Sequence, residues 1–190
     1  MERKDIMRFS VTERLRDGRS VTIRVVSPND KGRLADAIRE VSHESFYRRT
    51  FATKRDLSDQ ELKQLAEVDF ERVVALVAVM HDNEGEKIVG GGRYVRSESP
   101  GAASTAEVAF LVDDAYQSLG IGSRIFRNLV AIARAAGITQ FEAEVLPSNE
   151  AMLRLFMRSG LPLIKTPSRE SIHVSIMLSD AATMGEPWRD

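Results

Sequence analysis

The sequence contains no cysteine among its 190 residues. This absence excludes a disulfide framework, a cysteine nucleophile and zinc sites built from thiolates, and it is compatible with a reducing compartment. The three histidines, His43, His81 and His173, lie far apart and lack the spacing of metal ligands, so we expect no metal site. Neither a Ser-His-Asp arrangement nor a nucleophile elbow is evident, which argues against a covalent enzyme intermediate.

Long apolar runs and an excess of basic charge are missing as well. The first ten residues lack the apolar stretch of a signal peptide, and no run approaches membrane-spanning length. The formal net charge is −1, with 27 basic and 28 acidic side chains, so no overall field attracts nucleic acid or an anionic membrane. We therefore expect a cytoplasmic protein that binds neither, and the oligomeric state stays open.

The composition, 43% hydrophobic and 29% charged, fits one domain with an ordinary core. Residues 1–18 are weakly patterned and are interpreted as an N-terminal arm or a short extra element. Residues 19–179 are predicted to form the domain, and residues 180–190 a C-terminal tail. Periodicity in the domain predicts a strand, two helices, three antiparallel strands, a helix, a strand, a helix and a closing pair of strands.

Residues 107–112 are apolar apart from the first, which is typical of a strand covered on both faces. Strand alternation places Glu107 on one face with Ala109 and Leu111. In the preceding strand, three consecutive glycines at 90–92 indicate a bulge or the close approach of something bulky.

A loop with two glycines, residues 117–122, follows the 107–112 strand and opens a helix. Such a loop can turn backbone N–H groups towards an anion at the start of a helix. The helix is amphipathic, with Ile121, Ile125 and Leu129 on one side. Its arginines, Arg124 among them, are expected on the exposed side.

Two motifs in this order resemble the acetyl-CoA core of the GNAT N-acetyltransferases. Gln117, Gly120 and Gly122 match the Gln-x-x-Gly-x-Gly of the family's pyrophosphate loop. Asn149, Phe156, Gly160 and Leu161 match its Asn-x6-Tyr-x3-Gly-Phe, except that phenylalanine replaces tyrosine and leucine replaces the final phenylalanine. The resemblance implies an α/β (α+β) fold in which helices flank a mixed, mostly antiparallel central sheet.

The resemblance also implies acetyl-CoA as co-substrate. Backbone around Leu111 and Val112 would pair with the pantetheine arm and polarise the thioester, and Asn149 would hydrogen-bond the pantetheine. Loop amides would hold the pyrophosphate, assisted by Ser123 or Arg124. The residues expected to contact acetyl-CoA are Leu111, Val112, Gln117, Leu119, Gly120, Ile121, Gly122, Ser123, Asn149 and Phe156.

Glu107 is the expected catalytic residue, because protein-acetylating GNATs carry a glutamate base in Ala-Glu-x-x-Phe at this position. Burial there would make it a stronger base, and the alternative is a strand-end glutamate that points into solvent. Glu144 in the next strand is its rival. Phe156 cannot protonate the leaving thiolate, as the family's tyrosine does.

The beginning of the chain carries a narrower likeness. Residues 15–18 and 21–24, followed by Ser42, Glu44, Tyr47 and Arg49, resemble the acyltransferase domain of Pat-type bacterial protein lysine acetyltransferases. We therefore expect an N-acetyltransferase that acetylates protein lysines by direct attack in a ternary complex. The alternatives are a small-molecule amine N-acetyltransferase and a non-catalytic acyl-CoA sensor.

Overall fold

An eight-stranded sheet runs through the part of the chain that the computed structural model describes, residues 3–50, 57–82, 85–98 and 104–178. Its spatial order is β1-β2-β3-β4-β5-β6-β8-β7, and every neighbouring pair is antiparallel except β5 and β6. The predicted mixed, mostly antiparallel sheet is confirmed. The strands are β1 (Ser10–Arg14), β2 (Ser20–Val25), β3 (Val73–Asp82), β4 (Gly85–Arg96), β5 (Thr105–Val112), β6 (Gln140–Val145), β7 (Leu163–Pro167) and β8 (Ile172–Met177).

Six α-helices accompany the sheet in the described residues: α1 (Arg3–Ile6), α2 (Lys31–Glu40), α3 (His43–Thr50), α4 (Asp59–Ala66), α5 (Ile121–Ala135) and α6 (Glu150–Arg158). Their ends follow the local sequence. Ser58 and Glu61 form a capping box at the start of α4. Gly137 follows α5 with φ 79°, as a left-handed C-terminal cap requires. None of these helices combines the length and the apolar character that a membrane span needs.

The two faces of the sheet carry different cores because successive side chains of a strand point to opposite sides. On one face, α5 and α6 cover the larger core, whose largest buried side chains include Phe110, Phe126, Phe141 and Phe156. On the other face, α2 packs against a smaller group of buried residues: Val26, Ala75, Val77, Val79 and Ile88.

The three glycines of β4 serve both expected purposes. The pairing of β3 with β4 shifts between Ala78 and Val79, which leaves Val89 as a bulge. Gly92 lies against α5, where an added Cβ would stand 2.6 Å from Cγ2 of Ile125. The predicted bulge and close approach are both confirmed.

Residues interpreted as an N-terminal arm contribute to the sheet and to its core. The edge strand β1 pairs along its whole length with β2. Ile6 and Leu15, on either side of β1, are buried in the larger core. The tail predicted at 180–190 lies outside the described residues.

Candidate active site

The parallel strands β5 and β6 separate partway along their length. Their pairing ends at Glu107 and Glu142, although β5 continues to Val112. Beyond this point the β5 edge that faces β6 has no strand partner among the described residues. An extended group can lie in the resulting gap and bond to this free edge.

Hydrogen bonds to β4 show which amides of β5 point into the gap. Asp113 donates its backbone N–H to the carbonyl of Val89, 3.0 Å away. Backbone groups of alternate residues point to opposite neighbours, so Leu111 also faces β4. Phe110 and Val112 therefore direct their N–H groups into the gap.

The 117–122 loop brings the start of α5 next to this gap. Ser118 and Gly120 adopt positive φ angles of 63° and 84°, which turn the chain sharply into the helix. The first amide of α5 with a helical acceptor is that of Arg124, which donates to Gly120 over 3.2 Å. Three amides of the first turn precede that of Arg124 and have no acceptor within the helix: those of Ile121, Gly122 and Ser123.

The side chain of Gln117 stabilises the 117–122 loop through two hydrogen bonds. Its Nε2 donates to the carbonyl of Val112 at 3.3 Å and to Oδ1 of Asp114 at 2.9 Å. The Asp114 carboxylate also accepts from the Ser42 amide and the Ser45 hydroxyl, at the start of α3. Burial alone would raise the pKa of Asp114, but these donors outweigh it and lower the pKa. The loop is thereby tied to α3.

A cavity of about 280 Å³ lies in front of the loop and the first turn of α5. It brings together most of the residues expected to contact acetyl-CoA: Leu111, Val112, Gln117, Gly120, Ile121, Gly122, Ser123 and Asn149. Leu119 packs against the larger core, and Phe156 lines a second cavity. Three arginines, Arg16, Arg154 and Arg158, also line the smaller cavity. Basic groups around exposed amides suit a polyanion such as a pyrophosphate.

A second cavity of about 700 Å³ lies on the other face of the sheet, beneath α2 and α4. The two cavities share Phe110, Leu111, Asn149 and Met152 as lining residues, so they meet at the gap between β5 and β6. Within the described ranges, no three His, Asp or Glu side chains come together in a way that could hold a metal ion.

The site combines a gap between β5 and β6, a loop that presents backbone amides, and the start of α5 beside a cavity lined by basic residues. A comparison with protein-family models matches residues 35–161 to the acetyltransferase (GNAT) family. The chain belongs to the GNAT family. It is an acetyltransferase. The structure of yncA from Salmonella typhimurium, which shares this fold with a TM-score of 0.67 at 20% identity, holds acetyl-CoA as its cofactor.

Named relatives agree with this assignment. Acetyltransferase Pat of Mycolicibacterium smegmatis is 36% identical over 77% of this chain. The match covers only 42% of the length of that relative. An acetyltransferase of Pseudomonas aeruginosa is 30% identical over 85% of the chain and 86% of its own length. The crystal structure of the GNAT domain of S. lividans PAT superposes with a TM-score of 0.79 and 33% identity, covering 88% of this chain and 96% of that one.

Glu107 occupies the predicted face of β5 and lines the larger cavity with Ala109 and Leu111. The expectation that it is buried is wrong, because its side chain is exposed. At this residue β5 is still paired with β6, through Glu142, and the Glu107 side chain projects from the sheet into the larger cavity. In this GNAT domain an incoming substrate can therefore reach the carboxylate.

Glu144 lines the same cavity but is bound by two neighbours. Its Oε2 accepts from the Ser171 hydroxyl at 2.6 Å, and its Oε1 lies 2.7 Å from Nδ1 of His173. The Ser171 hydrogen bond, followed by His173, lowers the pKa of Glu144. A lowered pKa makes it a weaker proton acceptor than an ordinary glutamate.

Asn149 and Phe156 occupy the two positions of the family's helix motif. Asn149 caps α6 through Oδ1, which accepts from the Met152 amide at 3.2 Å, and it borders both cavities. The ring of Phe156 packs edge-on against Phe110 and Phe126, with centroids 5.7 Å and 5.3 Å away. Phe156 therefore extends the aromatic core up to the cavity.

Arg124 is not on the exposed side of α5 as predicted. It is 6% exposed, and its guanidinium donates to the carbonyls of Gly120 and Arg14 and lies 3.3 Å from Glu13. Its contacts therefore join the loop to β1, and its charge is compensated by Glu13. Nothing among them favours the expected contact with pyrophosphate.

Three arginines of the smaller cavity were missed by sequence reasoning. Arg154 and Arg158 lie four residues apart on α6, and this spacing predicts only a polar helix face. Arg154 also lies 2.7 Å from Glu150, its partner one turn earlier. The position of Arg154 and Arg158 at the cavity depends on how α6 packs beside the 117–122 loop, and a local sequence pattern cannot predict this packing.

Proposed function

We propose that the chain transfers the acetyl group of acetyl-CoA to lysine side chains of proteins, with Glu107 as general base and direct attack in a ternary complex. One observation carries the proposal. The exposed carboxylate of Glu107 lines the cavity that meets the cofactor cavity at the strand gap. The carboxylate lies in the same cavity as the strand gap, so water in this cavity can carry the proton of an approaching amine to Glu107.

Residues around the gap fit the co-substrate. The amides of Ile121, Gly122 and Ser123, with the arginines beside them, would hold the pyrophosphate. The amides of Phe110 and Val112 would bond the pantetheine arm and polarise the thioester carbonyl. Acetyl-CoA supplies an acetyl group that is activated as a thioester.

Glu107 would carry the proton step, directly or through a water. Free lysine has a pKa of about 10.4, so the amine arrives protonated at neutral pH and must lose a proton. Removal of this proton lets the nitrogen form the new N–C bond while the C–S bond breaks, and the nitrogen releases its second proton to solvent as the amide forms. Phe156 cannot donate a proton to the sulfur, but an alkyl thiol with a pKa of about 8.5 leaves readily as thiolate and takes its proton from solvent.

Charge in the cavity supports a cationic acceptor. On β5 and β6 its lining contains the carboxylates of Glu107 and Glu144, with Arg93 on the neighbouring strand β4. Carboxylates at this end of the cavity attract an ammonium group before it loses its proton. The similarity to Pat-type acetyltransferases favours a protein lysine over a small amine.

The test is transfer of labelled acetyl from acetyl-CoA into a cell extract that is separated into protein and small-molecule fractions. We expect label in protein for the wild type, and a reduction of about 100-fold or more for Glu107→Gln, in line with the loss of a general base. Glu144→Gln is the matched control, since it removes a carboxylate of the same cavity and is expected to stay within threefold of wild type.

Binding of acetyl-CoA separates the alternatives. Glu107→Gln should bind it as tightly as wild type, because Glu107 does not line the cofactor cavity. Label confined to small molecules would reject the lysine acceptor and leave the family assignment intact. Full activity of Glu107→Gln would reject the base.

A further inference from the structure

The larger cavity extends well beyond the space that a two-carbon acetyl group needs. Its volume of about 700 Å³ lies within the range of pockets that enclose whole drug-sized ligands, roughly 300–1,000 Å³. The cavity reaches from the gap between β5 and β6, across β4 and β3, to α2 and α4. Much of it therefore lies beyond the reacting carbon.

An open path leads from the gap to this far end. Gly91 of β4 pairs with Leu111 on one side and with Val77 on the other, so these residues form a row across the sheet on the cavity face. Gly91 has no side chain to block the row. A Cβ added there would meet the Leu76 carbonyl oxygen at 3.4 Å, an ordinary contact, and would extend into the cavity.

The far end of the cavity is mainly apolar. Its accessible walls are the partly exposed apolar side chains of α2 and α4, Leu34, Ala37, Ile38 and Leu65, which lie beside the buried Val26, Val77 and Ile88. The polar groups contributed by α4 are Glu61 and Gln64, and the Glu61 carboxylate accepts from the backbone amide and the hydroxyl of Ser58. An apolar occupant can bury its surface here without leaving a charge unpaired.

The candidate base, Glu107, lies at a different position along β5 from Leu111. Glu107 is four residues before Leu111 on β5, which corresponds to about 13 Å along a strand. Arg93 lies between these levels, paired with Ala109. An acceptor amine that approaches over Glu107 therefore does not have to occupy the apolar end, and the reacting group can extend into it.

We propose that the apolar end of this cavity is an acyl-chain subsite, and that the chain accepts acyl-CoA donors with linear acyl groups of about four to six carbons as well as acetyl-CoA. This inference rests on the proposed function and specifies its donor. Each additional methylene buried in the subsite strengthens binding about fourfold. The chemical step is unchanged: the N–C bond forms, the C–S bond breaks, and CoA leaves as thiolate.

Two variants fill the subsite from opposite walls. Gly91→Val adds a side chain from the sheet, and Ala37→Leu adds one from α2. Ala35→Leu is the matched control, because Ala35 lies on the same helix but does not line the cavity. Dissociation constants for acetyl-, butyryl- and hexanoyl-CoA are measured for all four proteins by calorimetry, together with kcat/KM for each donor.

We expect wild type and Ala35→Leu to bind butyryl-CoA about tenfold and hexanoyl-CoA about 100-fold more tightly than acetyl-CoA. The ratio of hexanoyl to acetyl affinity should fall tenfold or more in Ala37→Leu and in Gly91→Val. The inference is overturned if wild type binds hexanoyl-CoA no more tightly than acetyl-CoA, or if Ala37→Leu leaves the ratio unchanged. A raised KM for the amine with an unchanged donor ratio also overturns it, because the cavity would then hold the acceptor.

The binding series is independent of the acceptor. If no protein becomes acetylated, the lysine proposal fails, while the ratios of donor affinity still test the subsite. Conversely, transfer of acetyl to lysine with rejection of longer donors would leave the proposed function intact and remove the subsite.

Discussion

The two faces of the sheet hold their helices in different ways. On one face, α5 approaches so closely that Gly92 leaves no room for a Cβ, and Ile125, Phe126 and Leu129 of α5 are fully buried. On the other face, α2 stands over a cavity of about 700 Å³. Close packing of α5 therefore supports the 117–122 loop, which we propose binds acetyl-CoA, whereas the α2 side leaves a cavity over the sheet.

A buried charge network compensates for the looser packing on the α2 side. Asp30, fully buried just before α2, accepts from both terminal nitrogens of Arg24 at 2.7 and 2.8 Å and from Arg33 at 3.0 Å. It also accepts from the Ser27 amide at 2.8 Å. Burial by itself would raise the pKa of Asp30, but the hydrogen bonds from Arg24 and Ser27 outweigh it and lower the pKa.

The largest expected effect follows from removing this carboxylate. We expect Asp30→Asn to lower the free energy of unfolding at pH 7 by about 3 kcal/mol, because breaking a buried ion pair leaves charges uncompensated. Urea unfolding measures it. Asp36→Asn is the control, since Asp36 forms an exposed pair with Arg39 on the same helix, which should contribute less than about 1 kcal/mol.

The same network predicts a pH dependence. The pKa of Asp30 is lowered from its ordinary value of 3.8, so its contribution to stability is complete above about pH 4. It is lost as the pH falls through the lowered value, where the folded protein takes up the proton. The stability difference between wild type and Asp30→Asn should therefore shrink below pH 4. A difference that stays constant down to pH 2 would show that the charge of Asp30 is not what holds α2.

Gly91 and Gly92 of β4 face opposite sides of the sheet, so a substitution at each tests one face. The expected loss of stability is intermediate in size. Gly92→Val should destabilise the protein by about 2–3 kcal/mol, because the added carbons overlap Ile125 and Phe110 in a packed core. Gly91→Val points into the cavity and should cost less than about 1 kcal/mol, since valine favours strands and its Cβ makes only an ordinary contact, with the Leu76 carbonyl oxygen at 3.4 Å. Equal losses in thermal unfolding of the two variants would contradict the assignment of the faces.

Features that arise from short segments could be predicted from the sequence. The 117–122 loop, the capping box of Ser58 and the Asn149 cap all depend on residues within a few positions of each other. Alternation along β5 likewise placed Glu107 and Leu111 on one face. The order of the predicted elements matched the GNAT fold, and the mixed, mostly antiparallel sheet was inferred from that fold.

Features that depend on distant segments could not be predicted. Arg124 lies on the polar side of an amphipathic pattern, but Glu13 and Arg14 of β1, more than 100 residues earlier, enclose it. Exposure of Glu107 depends on the cavity that lies over its face of the sheet, and the periodicity of β5 does not predict this cavity. The cavity itself depends on the height of α2 above the sheet.

Tyr94 provides the smallest test of the comparison, from the tightly packed face. Its side chain is fully buried beside Phe141, and its hydroxyl has no hydrogen-bond partner among the described residues. Burial raises its pKa to about 12.

Removing a buried hydroxyl without a partner should cost nothing, so we expect Tyr94→Phe to leave stability unchanged or to raise it by up to about 1 kcal/mol in urea unfolding. Tyr47→Phe, at an exposed tyrosine of α3, should have no effect. A loss of more than about 1 kcal/mol in Tyr94→Phe would indicate that the hydroxyl is satisfied by a buried water. The face under α5 would then be less completely packed than its contacts suggest, and the contrast with the α2 side would be one of degree.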